Sequence, residues 1–386
     1  MKKLSKFLAI LMALVMVCGI MTACGETETP AQTAGTEAAE PATDQKTEEN
    51  KEVLVLKYGH NQTEDAPFHA GAVKLAELVD EYSNGTMRVD VYSNAQLGDE
   101  NELLQGIMMG TIDLAGVALG NMALCDEEFN VFMIPYLFEN YDQVDAVLRD
   151  GETGRYLEEV AKTHNVRILS WSESGFRHTL NSKKDVKVPS DLAGMKYRTP
   201  SWSMFMDLVN SWGANAVSMP FSEVYMACQQ GVIDVQEGAL FAFTTQGMYE
   251  VQKYLTLDGH IYNGDLKLVS ESVFQTLTPE QQEILAKAAY EAGEYQRELI
   301  RSTEQDHLDT MRNAGVSITE DVDKQAWKDM YSGILFTKLG AVMRSPVLKL
   351  PYSVMYIAIP IVCGLCILFL VIQLISLPRD IKEDNK

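Results

Sequence analysis

From residue 53 to residue 235, short apolar runs alternate with stretches whose apolar residues fall at helical spacing. Few architectures accept that alternation. The runs at 53–58, 88–92, 112–115 and 166–171 read as strands. Residues 66–82, 101–109, 141–149 and 154–164 read as helices, with Val73, Leu75, Leu78 and Val79 sharing one face of the first. Strand–helix alternation of this kind means an α/β fold with a mostly parallel sheet. Further along, 204–212 is a helix closed by Gly213, and 216–219 a strand. Ser222 is placed to cap a helix that Gly231 ends, and 232–235 is a strand leading into Gln236 and Glu237. Thr278-Pro279-Glu280 is a helix start, a capping residue with proline at the first helical position. The helical pattern then runs to Arg312, a span of about 50 Å at 1.5 Å per residue and long enough to brace two domains.

The segment 174–202 holds two arginines on this frame. Arg177 follows an apolar run and Gly175, while Arg198 follows Met195-Lys-Tyr197 and is stopped by Pro200. Between them, 189–194 reads as one helical turn closed by glycine. An arginine at a strand end of an α/β protein faces the crevice where ligands collect. Its planar fork of donors fits a carboxylate bidentately, which lysine cannot match. Both arginines fit structural salt bridges as well, and their sequence neighbours alone do not separate the two readings.

The ends of the chain point to the membrane. Lys2, Lys3 and Lys6 precede an apolar run from 7 to 20, and Met21-Thr-Ala-Cys24 follows, so 1–23 reads as an export signal. Small residues before cysteine resemble a bacterial lipobox, and that resemblance implies cleavage before Cys24 and its acylation. Residues 24–51 are rich in Thr, Glu, Ala, Gln and Pro without an aromatic residue, a composition for a tether. Residues 354–376 are almost wholly apolar and long enough to span a hydrocarbon core of about 30 Å. A linker at 341–353 and a tail at 377–386, cytoplasmic once the domain is exported, flank that helix. A net charge of −22 argues against nucleic acid and against anionic lipid. An anionic ligand must therefore be won by local donors against the global field. Of six cysteines, Cys18 leaves with the signal, Cys24 takes the lipid and Cys363 and Cys366 lie in the span. Only Cys125 and Cys228 remain, too few for a metal cluster or a disulfide framework, and no cofactor motif or catalytic triad order is present.

Six segments in order carry a family resemblance: Asn94-Ala-Gln-Leu-Gly98, Gly110-Thr-Ile-Asp113, Ile134-Pro-Tyr-Leu-Phe138, Gly194-Met-Lys-Tyr-Arg198-Thr-Pro200, Met219-Pro-Phe-Ser-Glu-Val-Tyr225 and Gly231-Val-Ile-Asp-Val-Gln-Glu237. From about 53 to 330 the chain resembles the extracytoplasmic solute-binding subunit of the tripartite ATP-independent periplasmic (TRAP) transporters. The resemblance implies a two-lobed, periplasmic-binding-protein-like α/β fold with hinge strands and a long bracing helix, here with one C-terminal transmembrane helix added. Lobe I would comprise 52–175 and 264–303, lobe II 176–263 and 304–340. The lobes would close on a small organic acid and deliver it to the transporter's membrane subunits.

By the same resemblance the ligand carboxylate falls to Arg198, with Arg177 nearby, Phe221 lining the cleft, Asn61 after the first strand, and Gln236 and Glu237 at the end of theirs. Family members commonly continue Gln-Glu with Asn-Pro, whereas this chain has Gly238-Ala239, which removes one contact. Ala118 and Asn121 stand where sialate-binding members carry an acid and an arginine, which argues against sialate. Residues 345–375 resemble the last transmembrane helix of the transporter's small membrane subunit, so the chain reads as a natural fusion or as the non-functional product of a deletion. A membrane-anchored sensing ectodomain is the other class considered, and about ten residues after the span leave no room for a signalling domain. No enzyme chemistry is implied.

Overall fold

The computed structural model describes residues 53–330. The export signal, Cys24, the tether, the linker, the proposed span at 354–376 and the tail lie outside these residues. Among the described residues no helix is long and apolar enough to cross a membrane.

Nine strands form one sheet in the order β2-β1-β3-β8-β4-β7-β5-β6, with β9 on β8. The strands are β1 (Leu54–Gly59), β2 (Met87–Tyr92), β3 (Leu114–Ala118), β4 (Val166–Asn181), β5 (Lys196–Thr199), β6 (Asn215–Ser218), β7 (Val235–Gly238), β8 (Tyr254–Ser270) and β9 (Ser317–Thr319). β4 and β8 are 16 and 17 residues long and run antiparallel. Their far ends serve different neighbours. β3 pairs with β8 at 265–269, whereas β7 pairs with β4 at 178–181 and β9 with β8 at 254–256. Two lobes thus hang on two shared strands. The ladder slips between Glu173 and Gly175, opposite Gly264 and Asn263. Gly175 has φ +104°, which a side chain would strain, so glycine is required where the strand bends between lobes.

Five of the eight strand pairings are parallel, as expected, and the other three gather on the two crossing strands. β1–β2, β1–β3, β5–β6, β5–β7 and β8–β9 are parallel, but every pairing that reaches the crossing strands from β3, β4 or β7 is antiparallel. Arg177 is accordingly inside a long strand rather than at the end of a short one. β7 begins where the expected strand at 232–235 ends, so Gln236 and Glu237 are strand residues.

The helices are α1 (Pro67–Ser83), α2 (Glu100–Met109), α3 (Glu152–Lys162), α4 (Ser203–Ser211), α5 (Val224–Gln229), α6 (Leu240–Thr245) and α7 (Pro279–Asn313), beside shorter turns. Asp99 opens α2 through a reciprocal capping box with Glu102. Thr278 and Gln281 do the same for α7, with Pro279 at its start. α7 is 35 residues long and lies along the crossing strands. Its Gly293 leaves no room for a Cβ against Ser170 of β4. Beyond it, Arg297 donates to the Trp171 carbonyl at 2.9 Å, and Arg301 reaches Glu173 and Asp145 at 2.7 Å. The brace is thus pinned at the point where the strands pass between lobes. One apolar core extends from Leu103 and Phe129 to Trp212 and Trp327, a second lies between α1, β1 and α7, and a third under α5 and β9.

Candidate functional site

A narrow cavity of about 40 Å³ lies between the lobes. Asn61, Gln62, Phe68, Glu100 and Ala118 face it from one side, Arg177, Arg198, Trp202, Phe221 and Phe241 from the other, and Ser174 and Asn263 from the crossing strands. Two strands end at its edge: β1 stops at Gly59, β5 at Thr199 before Pro200, and the residues that follow each, Asn61 and Gln62, Pro200 and Trp202, line the cleft.

Arg198 is 3 % exposed. Its Nε and Nη2 both donate to the Met219 carbonyl, at 3.2 and 2.9 Å. Among the described residues no carboxylate lies within 4 Å of it. Burial lowers its guanidinium from 12.5 to about 10, against the opposing pull of Glu237. The Phe221 ring stands 5.8 Å from the guanidinium.

Arg177 differs in every respect that matters. It forms a fork with the fully buried Glu237, Nη2 donating to Oε1 at 2.6 Å and Nε to Oε2, with a further contact to the Glu237 carbonyl. β4–β7 pairing sets Thr179 opposite Glu237, which brings the two side chains together from 60 residues apart. Burial works against the charge, but Glu237 holds the Arg177 guanidinium above its ordinary value. The salt-bridge reading is therefore correct for Arg177 and incorrect for Arg198. Glu237 does not line the cavity, and its carboxylate is taken by Arg177. Gln236, on the other face of the strand, is also buried outside the cavity lining, and its amide has no partner among the described residues.

Asn61 lines the cavity with both ends of its amide engaged. Its Nδ2 donates to Asp99 Oδ1 at 2.7 Å and its Oδ1 accepts from Gln62 Nε2 at 3.0 Å. Asp99 is also reached from the other lobe: Ser222 Oγ donates to Oδ2 at 2.9 Å. Ser222 therefore does not cap the helix after it, as its position in the sequence suggests, and instead joins the lobes. A second bond across the cleft runs from Trp202 Nε1 to Asn121 Oδ1, 2.9 Å. The indole lies on Gly120, where a Cβ would fall 2.4 Å from the ring. Glu100 accepts from the Ala118 amide, and burial pushes its carboxyl up to about 7, with Asp99 adding to the effect.

Gln62, Glu100, Trp202 and Asn263 were not legible as site residues. Gln62 and Glu100 are neighbours of residues with visible signals, Asn61 and the capping Asp99, and Trp202 stands two residues beyond Pro200. Asn263 has no local signal, since it enters only through the pairing of β4 with β8. A larger cavity of about 480 Å³, lined by His178, Glu304, Lys324 and Lys328 among others, contains neither candidate arginine. Among the described residues no cluster suited to a metal ion is present. Cys125 and Cys228 are buried and free.

Residues 58–335 match the family model described as bacterial extracellular solute-binding protein, family 7. The 2,3-diketo-L-gulonate-binding periplasmic protein of Escherichia coli strain K12 is 32 % identical over 274 residues, 71 % of this chain and 83 % of that one. The C4-dicarboxylate-binding periplasmic protein of Rhodobacter capsulatus is 30 % identical over 73 % of this chain and 86 % of its own length. Among solved structures, a TRAP periplasmic solute-binding protein from Sulfitobacter sp. NAS-14.1 with bound β-D-galacturonate superposes with a TM-score of 0.72 at 28 % identity, covering 74 % of this chain and 95 % of that one.

Proposed function

The chain belongs to family 7 of the bacterial extracellular solute-binding proteins, and from that premise we propose that it captures a small organic acid outside the cytoplasm and hands it to the membrane subunits of a TRAP-type transporter. It is a binding protein and not an enzyme, as its family is. The observation that carries the reading is Arg198: a cation almost wholly withdrawn from water, inside an interlobe cavity, with no carboxylate beside it among the described residues. An unpaired buried charge costs several kcal/mol, so the closed cleft favours an anion that completes the pair. Phe221 forms an apolar wall beside that position and Arg177 a neutralised one.

Strands β4 and β8 supply the hinge. Residues 52–175 and 264–303 move with one lobe, and 176–263 and 304–340 move with the other. The lipid on Cys24 and the helix at 354–376, read from the sequence, complete the proposal as anchors that hold the binding lobes at the outer membrane face.

Calorimetric titration of organic acids tests the reading. Arg198→Lys keeps the charge without the fork and should weaken binding substantially. Arg198→Ala should lose more, on the order of 2–5 kcal/mol for a buried hydrogen-bonded pair. Wild-type affinity in Arg198→Lys removes the bidentate contact.

A further inference from the structure

We propose that Trp202 is the wall that limits how long an acid the closed cleft can hold, and that Arg177 is the platform that keeps this wall in place. The inference rests on the organic-acid reading above and adds to it a residue that selects by length.

Room in the cavity comes first. Its volume of about 40 Å³ is roughly three water positions, which matches the bulk of an acid of about three or four carbons. A longer acid must displace part of the lining, and most of the lining is held from behind. Glu237 locks Arg177, Asp99 holds Asn61, and Phe68 packs on Phe241 with ring centroids 5.4 Å apart. Ala118 and Gly238 have no side chain to fold aside. Trp202 is the largest side chain that lines the cavity, and it is 4 % exposed.

The indole is fixed from several directions. It reaches across the cleft, where Nε1 donates to Asn121 Oδ1 at 2.9 Å. An indole can only donate, so Asn121 must turn its oxygen to the ring, and its Nδ2 donates in turn to Asn101 Oδ1 at 2.9 Å. Gly120 lets the ring sit against the backbone, since a Cβ there would fall 2.4 Å from it. Phe205 meets the ring edge-on with centroids 6.2 Å apart. The Arg177 guanidinium stands 5.2 Å from the ring centroid, within the range at which a cation is drawn to an indole face. Arg177 cannot follow a ring that moves, because Glu237 holds both arms of its fork. The buried ion pair thus has a part in the site: it seats the indole and offers the ligand no free charge. Withdrawing the indole would leave the Asn121 oxygen without its donor, which is costly in a buried place. Pressing extra atoms against a wall so held is costly in the same way as overfilling a core.

The test uses the full chain in detergent and three pairs of acids, each sharing a head and differing in length: glycerate and gluconate, butyrate and hexanoate, succinate and adipate. Calorimetry reads the affinity ratio within every pair that binds, so the outcome does not depend on which head the cleft prefers. In the wild type the short member should bind about tenfold or more tighter than the long one, against the hydrophobic gain that added carbons bring. Trp202→Ala should bring the two to equal affinity or reverse their order. Trp202→Leu, smaller than the indole and still apolar, reads the same shift in a chain whose core contact is better kept, and circular dichroism confirms that each variant is folded. A wild-type chain that takes the long member of a pair as tightly as the short one overturns the length limit and leaves the organic-acid reading intact. Equal weakening of both members in the folded variants marks Trp202 as structural and overturns its assignment as the wall. A folded wild-type chain that binds none of the six acids overturns this inference and the broader reading together.

Discussion

Arg177→Ala should unfold the protein at a markedly lower temperature, and Arg198→Ala should not. In the wild type, Arg177 and Glu237 are 8 % and 0 % exposed and share a two-bond fork. Truncating the arginine leaves a carboxylate sealed in lobe II. Its nearest remaining basic group is His260, whose Nε2 stands 3.8 Å from Oε2 and has no hydrogen-bond partner. Breaking one side of a buried ion pair costs about 3–5 kcal/mol, because the orphaned charge dominates the loss. Across about 280 residues at 2.1 cal/mol/K each, one kcal/mol moves the midpoint by roughly 1.7 °C, so the shift should be on the order of 5–9 °C.

Arg198 is the opposite case. Its contacts are two bonds to one carbonyl, and its removal relieves a buried charge. Arg198→Ala should melt within about 1 kcal/mol of wild type, the range of an ordinary lost hydrogen bond. Thermal denaturation of the ligand-free chain at constant pH, followed by circular dichroism, reads both. Glu237→Gln in the Arg177→Ala background removes the orphaned charge and should recover part of the loss, which a double-mutant cycle makes quantitative. An Arg177→Ala variant that melts with wild type refutes the assignment of that arginine to the scaffold. So does a double variant less stable than the single.

Other consequences can be read on the same protein. Glu100 has its folded value raised from 4.5 to about 7, so the stability tied to its protonated form is complete below 4.5 and is lost as pH rises through about 7. Ligand-free stability should fall over that window and affinity for an acid should tighten as pH drops through it; Glu100→Gln should flatten both profiles. Gly120→Ala places a methyl against the Trp202 ring, so it should weaken ligand binding severalfold by blocking closure while both lobes keep their melting behaviour; unchanged affinity would count against the Trp202 contact as part of closure. Burial pushes the Cys125 and Cys228 thiols up to about 12, and both should resist iodoacetamide until denaturant is added.

The parts of the fold that follow local rules were legible. The cap at Thr278, glycine ends at Gly110 and Gly213 and the long periodic helix all have physical causes within a few residues. β8 was not legible, although it is the longest strand. Asp258, His260, Asn263, Asp265 and Lys267 interrupt its apolar pattern, yet all are buried. Three of them are held by long-range partners: Thr179 on Asp258, Gln296 on Asp265 and Lys267. Period-based reading treats polar residues as solvent-facing, and a strand that crosses between lobes inverts that rule. The two arginines show the same limit on a smaller scale. Their chemistry is identical, and only the pairing of β4 with β7 decides which one meets Glu237.

That division of roles also explains how binding can be coupled to closure. Across the cleft, Ser222 to Asp99, Trp202 to Asn121 and Gln246 to Thr63 are hydrogen bonds between side chains. At a net 0.5–1.5 kcal/mol each they contribute about 2–4 kcal/mol to the closed form. Withdrawing Arg198 from water opposes them. Its fall from 12.5 to about 10 corresponds to roughly 3 kcal/mol at 1.36 kcal/mol for each pKa unit. The two terms have opposite signs, so withdrawing Arg198 from water weakens the closed form of an empty cleft. A ligand carboxylate acts on one term only: it removes the cost at Arg198 and leaves the interlobe bonds in place. The differential affinity that drives closure is then the same few kcal/mol that an open, hydrated Arg198 would not supply. Had Arg198 carried its own carboxylate, as Arg177 does, closure would be nearly indifferent to an anion.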